Sequence, residues 1–126
     1  MRGTKPHLVV SNDAMTEKQP APSWMSKDAK AEWRRIMPLL IERKILTDAD
    51  MGSVENYCVT IGRTRQIERQ IQFAGDAIDP SLFRMQDKAM QTARQLAAEL
   101  GLTPVSRSRP AIREENDDDD IAGLDI

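Results

Sequence analysis

A chain of 126 residues, 40% apolar, 4% aromatic and 30% charged, holds one small domain with polar flanks and buries only about two thirds of its unfolded surface, which excludes a large catalytic cleft. One cysteine and one histidine exclude a disulfide framework and a structural zinc site of the usual kind, and no apolar run reaches the roughly 18 to 20 residues that span a bilayer, so we expect a soluble intracellular protein without metal, cofactor or membrane partner. The net charge of −2 hides a division: residues 1–113 carry all 18 Lys and Arg against 13 Asp and Glu, whereas residues 114–126 carry seven acids and no base.

Residues 1–25 contain Pro6, Pro20 and Pro22 and show neither helical nor alternating periodicity, which predicts an extended arm. Its Arg2, Lys5 and His7 can touch phosphate, although unstructured ends commonly carry such residues. A helical core is predicted over 26–102. Ser26 is a good N-cap and Asp28 suits the positive end of the helix dipole. Ala29, Trp33, Ile36, Met37, Leu40 and Ile41 then recur at three and four, which marks one buried helical face with Trp33 in the core. Pro38 predicts a kink or a restart, because its ring collides with the carbonyl four residues back. Thr47, with Asp50 three residues on, opens a second helix over 48–73, about 39 Å long at the helical rise. Met51, Val54, Tyr57, Cys58, Ile61, Ile67 and Ile71 form its stripe. Gly62 and Thr64 narrow that stripe and allow another helix to come close, although Gly62 costs the helix about 1 kcal/mol relative to alanine. Cys58 reads as a small buried residue.

Gly75, Asp76, Asp79 and Pro80 predict a loop, and from Ser81 a third helix follows. Leu82, Met85, Ala89, Ala93, Leu96 and Leu100 step by three and four, and Gly101 ends the helix. The fold class is therefore all-α: an N-terminal helix followed by a long antiparallel helical hairpin. Such a hairpin cannot cover all its apolar positions. The shoulder of Phe83, Met90 and Ala97 predicts contact with another subunit, which makes Leu82, Met85, Ala89, Met90, Ala93, Leu96 and Leu100 the candidate oligomerisation residues. Residues 103–113 form a basic segment with Arg107, Arg109 and Arg113. Residues 114–126 should be a disordered acidic tail, since a block of like charge repels itself. It either solubilises the chain, or acts as an arm that docks a partner or competes with DNA for the protein's own basic surface, and Ile121, Leu124 and Ile126 at its end are the candidate docking residues.

No glycine-rich phosphate loop, no Ser-His-Asp or Cys-His set and no histidine-rich spacing occurs, so we expect no enzyme. Arg63, Arg65 and Arg69 crowd the second half of the long helix. Guanidinium groups bind phosphates in forked geometry, and their affinity depends on salt rather than sequence. Together with Arg107 and Arg109 they are the candidate DNA-binding residues, weighed against a solvated helix face that uses Glu68 as a local partner.

Four features stand in order: the opening M-R-G-T-K-P; W-R-R-I-M-P-L-L from Trp33 to Leu40; I-L-T-D-A-D from Ile45 to Asp50 with the Tyr57-Cys58 pair; and E-L-G-L-T-P-V-S-R-S-R from Glu99 to Arg109. The chain thereby resembles the small subunit of phage terminases, in the branch also found in prophages. The resemblance implies a non-catalytic component of the genome-packaging motor in the cytoplasm of the infected bacterial host. It implies a homo-oligomeric helical ring that engages double-stranded viral DNA and hands it to the terminase large subunit, which carries the ATPase and nuclease. The residues alone leave two alternatives open: a helical transcriptional regulator acting as a dimer, and a structural adaptor with no nucleic-acid role.

Overall fold

Ser26 caps the first helix, α1 (Lys27–Glu42), by accepting a bond from the Ala29 N–H at 3.1 Å. A computed structural model describes residues 14–44, 46–77 and 79–104 of the protein, and among these the secondary structure is helical with no strand. The expected all-α class holds. Helix α1 buries Ala29, Glu32, Trp33, Ile36, Met37 and Leu40, the three-and-four spacing of a single stripe. Of the two outcomes expected at Pro38, the restart does not occur: α1 runs unbroken through it. Trp33, Ile36, Met37 and Leu40 lie on both sides of that proline in one core, and their burial favours continuing the helix past it. The helix ends where the Arg43 N–H bonds to the Leu39 carbonyl at 3.1 Å and Lys44 adopts a left-handed φ of 57°.

Leu46 is buried in the connection. Asp50 there accepts from the Thr47 N–H at 2.9 Å and from the Thr47 hydroxyl at 3.1 Å, which builds the expected acid-to-cap contact. The first turn, Asp48–Asp50, is a 3-10 helix, and regular α2 covers Met51–Ala74, about 36 Å at the helical rise. Gly75 stops it with φ 61°, a conformation that glycine adopts without Cβ strain. Pro80, expected in the loop, instead occupies the first turn of α3 (Pro80–Glu99). Its missing N–H costs nothing there, and the Asp79 carboxylate caps Ser81 N–H at 2.9 Å.

Helix α2 is the central element and packs on both α1 and α3. Its buried residues, Val54, Tyr57, Cys58, Gly62 and Ile67, face two neighbours, which explains why its apolar residues spread around more of the helix than those of α1. The main core joins Met25, the α1 stripe, Leu46, Val54, Tyr57, Cys58, Ala97 and Leu100. It therefore sits at the start of α2 and the end of α3. Away from it the packing thins, and Phe73, Phe83, Met85 and Met90 are exposed.

Residues 14–25, without helix or strand, lie against the helices. The Met15 N–H bonds to the Leu46 carbonyl at 2.7 Å, the Trp33 indole donates to the Gln19 carbonyl at 2.7 Å, and Met25 is buried. Proline-rich backbone has no helix of its own, so these contacts with distant residues hold the segment. Its low periodicity concealed a tertiary role. Arg2, Lys5 and His7 lie outside the described residues, as do the basic segment from Val105 on and the acidic tail.

Gly62 sits where the N-terminus of α1 crosses α2. A Cβ built on it would lie 2.9 Å from the Ala29 nitrogen and 3.1 Å from the Ser26 Oγ. Helix propensity alone favours alanine by about 1 kcal/mol, but the obstructing atom is backbone and cannot rotate away. We expect Gly62→Ala to destabilise the protein by about 1–3 kcal/mol in urea titration; a gain in stability would show that α1 does not press on this position.

Candidate nucleic-acid interface

Helices α1 and α2 face each other with complementary charge. On α1, Asp28 and Glu32 stand one turn apart; on α2, Arg65 and Arg69 do the same. Arg65 Nη2 meets Glu32 Oε1 at 3.1 Å, and Arg69 forks onto the Asp28 carboxylate, with Nη1 to Oδ1 at 3.2 Å and Nη2 to Oδ2 as its second arm. The later arginine pairs with the earlier acid, so the two helices run antiparallel through this contact.

Glu32 is the centre of the arrangement. Its side chain is 1% exposed, yet each oxygen is engaged. Tyr57 donates its hydroxyl to Oε2 at 2.6 Å, Arg35 donates Nε to Oε1 at 2.9 Å and Nη2 to Oε2 at 2.5 Å, and Arg65 completes the set. Burial pushes the Glu32 carboxyl upward, but the bonds from Arg35 and Tyr57 and the charges of Arg35 and Arg65 outweigh it and hold the group below its usual range. Asp28 is held low first by its bond to Arg69. Tyr57 is raised by burial and by its bond to Glu32. Burial likewise pushes the Cys58 thiol up to about 12, so at neutral pH it is a protonated, unreactive core residue.

The expected DNA-binding residues therefore stand in different states. Arg65 and Arg69 are bound to carboxylates of their own chain. Arg63 is exposed, with no carboxylate partner among the described residues. It lies with Lys88 beside a shallow depression between α2 and α3 that Thr60, Ile67, Met85 and Ala89 also line. Arg107 and Arg109 lie outside the described residues. Glu68, considered as a local partner of the arginines, instead accepts from Gln86 and Gln72, each at 2.8 Å.

The candidate oligomerisation residues also divide. Ala93 and Leu100 are buried within their own chain, Leu82, Ala89 and Leu96 are half-buried, and Met85 and Met90 are exposed. Ala97, expected on the outward shoulder, is buried in the core. The inward line of α3 is thus Gln86, Ala93, Ala97 and Leu100, rotated from the line that apolarity alone marks. Gln86 takes an inward position because its amide spans the helices, donating to Glu68 and to the Thr64 carbonyl at 3.4 Å. The apolar surface left outward centres on Phe83, Met85 and Met90.

Sequence reasoning missed Glu32, Asp28 and Tyr57 as partners of the arginines. The available signal was the matched one-turn spacing of two acids on the first helix and two arginines on the second. Ile121, Leu124 and Ile126 lie outside the described residues. Among the described residues no three His, Cys, Asp or Glu side chains group as a metal site, and no helix is long and apolar enough to cross a membrane. A family model described as "Phage terminase, small subunit" matches residues 29–117, more than half of the chain. No curated protein and no solved structure matches it.

Proposed function

The chain belongs to the phage terminase small-subunit family, a generally non-catalytic family, and from that premise we propose that it is the DNA-recognising subunit of a viral genome-packaging motor. It binds double-stranded phage DNA in the cytoplasm of the infected host and delivers it to the terminase large subunit, or regulates that subunit. The family match is the observation that carries this reading. The excess of 18 Lys and Arg over 13 Asp and Glu in residues 1–113 supports it, since positive charge supplies sequence-independent affinity for phosphate.

The working form is a homo-oligomeric ring built on the α2–α3 hairpin. Phe83, Met85 and Met90, exposed on α3, form its subunit contact together with the half-buried Leu82, Ala89 and Leu96. Ile121, Leu124 and Ile126 dock on the large subunit, where a modest affinity per tail is multiplied around the ring. Native mass spectrometry together with DNA-binding anisotropy tests the proposal. A multi-subunit ring that binds duplex DNA supports it. A dimer bound to a symmetric operator would favour a regulator, and a protein with no DNA affinity at low salt would leave a structural adaptor.

Among the arginines, Arg63 acts on DNA without a competing carboxylate. Arg63→Ala should lower affinity for all duplexes alike and reduce the slope of log K against log salt by about one unit for each phosphate that Arg63 neutralises. The melting temperature should not change. Arg65→Ala should lower both affinity and melting temperature, because it also breaks the ion pair with Glu32. Salt-dependent anisotropy beside thermal unfolding separates the two; an unchanged salt slope in Arg63→Ala would move the interface to other cations.

A further inference from the structure

A groove of about 490 Å³ runs between α1 and the N-terminal segment. Its floor is Trp33, Met37, Pro38 and Ala21, and its rim carries Lys18, Lys30 and Arg34. Lys30, Arg34 and Pro38 lie one turn apart along a single stripe of α1, and the bond from the Trp33 indole to the Gln19 carbonyl fixes the opposite wall. None of the three cations is paired with a carboxylate among the described residues. Glu17 is the acid next in sequence to this rim, so the balance stays positive. An apolar trough with a cationic rim fits an extended peptide that carries acids and aliphatic side chains together.

We propose that this groove seats the chain's own C-terminal acidic segment, Glu114–Ile126. Charge selects it. The segment holds Glu114, Glu115 and Asp117–Asp120 with Ile121, Leu124 and Ile126 behind them, whereas residues 1–13, the other terminal stretch, contain Arg2, Lys5 and His7 against Asp13 and are repelled by the rim. Geometry permits it. Arg43 Nη1 donates to the Gly101 carbonyl at 3.2 Å, so the chain leaves α3 beside the C-terminal end of α1. From there Lys30 is about 20 Å back along the helix, and the stretch from Leu102 to Glu114 reaches about 40 Å when extended. Tethering turns weak surface ion pairs into an intramolecular contact at millimolar effective concentration. The seated tail covers Lys18, Lys30 and Arg34 and keeps other polyanions from them. This inference goes beyond the packaging role and does not rest on it; the two placements of Ile121, Leu124 and Ile126 are mutually exclusive, so the tail leaves the groove when it docks on the large subunit.

Zero-length carbodiimide cross-linking of the full chain, read by mass spectrometry, tests the proposal, because that reagent joins carboxylates only to lysines in contact with them. Amides should form between the Glu114–Asp120 carboxylates and Lys18 or Lys30, in several-fold excess over those to Lys27, Lys44 and Lys88. They should disappear at about 1 M NaCl, where the screening length is about 3 Å. Arg34→Glu keeps every lysine and changes only an exposed side chain, so it should cut the yield several-fold without altering the fold. Yields spread evenly over all lysines, or unchanged in Arg34→Glu, would overturn the proposal. Mixing heavy- and light-isotope protein decides whose groove is filled: predominance of heavy–light products would overturn the same-chain assignment.

Discussion

Trp33→Ala should cost about 3–5 kcal/mol, the range for removing a large aromatic from a filled core. Trp33 is 2% exposed and packs among Met25, Ala29, Ile36, Met37 and the residues of α2. Its indole also holds the Gln19 carbonyl at 2.7 Å, so the change opens a cavity and releases the N-terminal segment together. Trp33→Phe separates the two effects. It keeps most of the apolar area and loses the indole N–H, so hydrogen exchange should rise in residues 14–25 while α2 and α3 stay protected. Trp24, which is 64% exposed, provides the contrast: Trp24→Ala should fall within about 0.5 kcal/mol of the parent. Equal losses from the two tryptophans in urea titration would contradict the packing described.

The buried carboxylate of Glu32 gives a second large effect and a test by sign. Arg35→Ala with Arg65→Ala leaves a carboxylate that is 1% exposed with Tyr57 as its remaining donor. Breaking a buried ion pair from one side costs about 3–5 kcal/mol. We expect about 3 kcal/mol here, because Arg35 and Arg65 are 58% and 44% exposed and water already screens them. Glu32→Gln should destabilise the parent, where it removes the anion that both guanidiniums bind. In the double-arginine background it should stabilise, since it removes an uncompensated charge. The same sign in both backgrounds would sink this account of the site.

The pH dependence follows from the same groups. In the parent, Glu32 and Asp28 titrate below their ordinary values of 4.5 and 3.8, so as the pH falls the unfolded chain takes up protons first. Their contribution is complete above those values and is lost as the pH falls through the depressed folded ones. At the alkaline end the unfolded Cys58 thiol ionises near 9.0 while the folded one holds its proton to about 12, so stability should decline between those limits, with Tyr57 acting in the same direction. In the double-arginine variant the acid limb should reverse, with stability rising as Glu32 is protonated.

The helices were legible in the sequence because their signals are local. Ser26 before a three-and-four stripe, the Thr47–Asp50 pair, Gly75 and Gly101 each act within about one turn of their own position, and α1, α2 and α3 begin and end close to where those residues predict. What each face touches was not legible. From spacing alone Arg65 and Arg69 read as phosphate binders or as a solvated face beside Glu68, and only the antiparallel crossing of α1 over α2 brings Glu32 and Asp28 onto them. The inward line of α3 shifted to Gln86, Ala93 and Ala97 because a central helix offers room for small side chains and a polar partner in Glu68, a property of the neighbouring surface rather than of α3. Trp24 and Trp33 are the same residue type nine positions apart, and burial separates them only after α2 and the N-terminal segment have closed over one of them. The sequence by itself determined where the helices start and stop, since capping and periodicity are near-neighbour effects. Tertiary structure decided which charges and apolar groups remain for a partner, since that depends on residues distant along the chain that packing brings together.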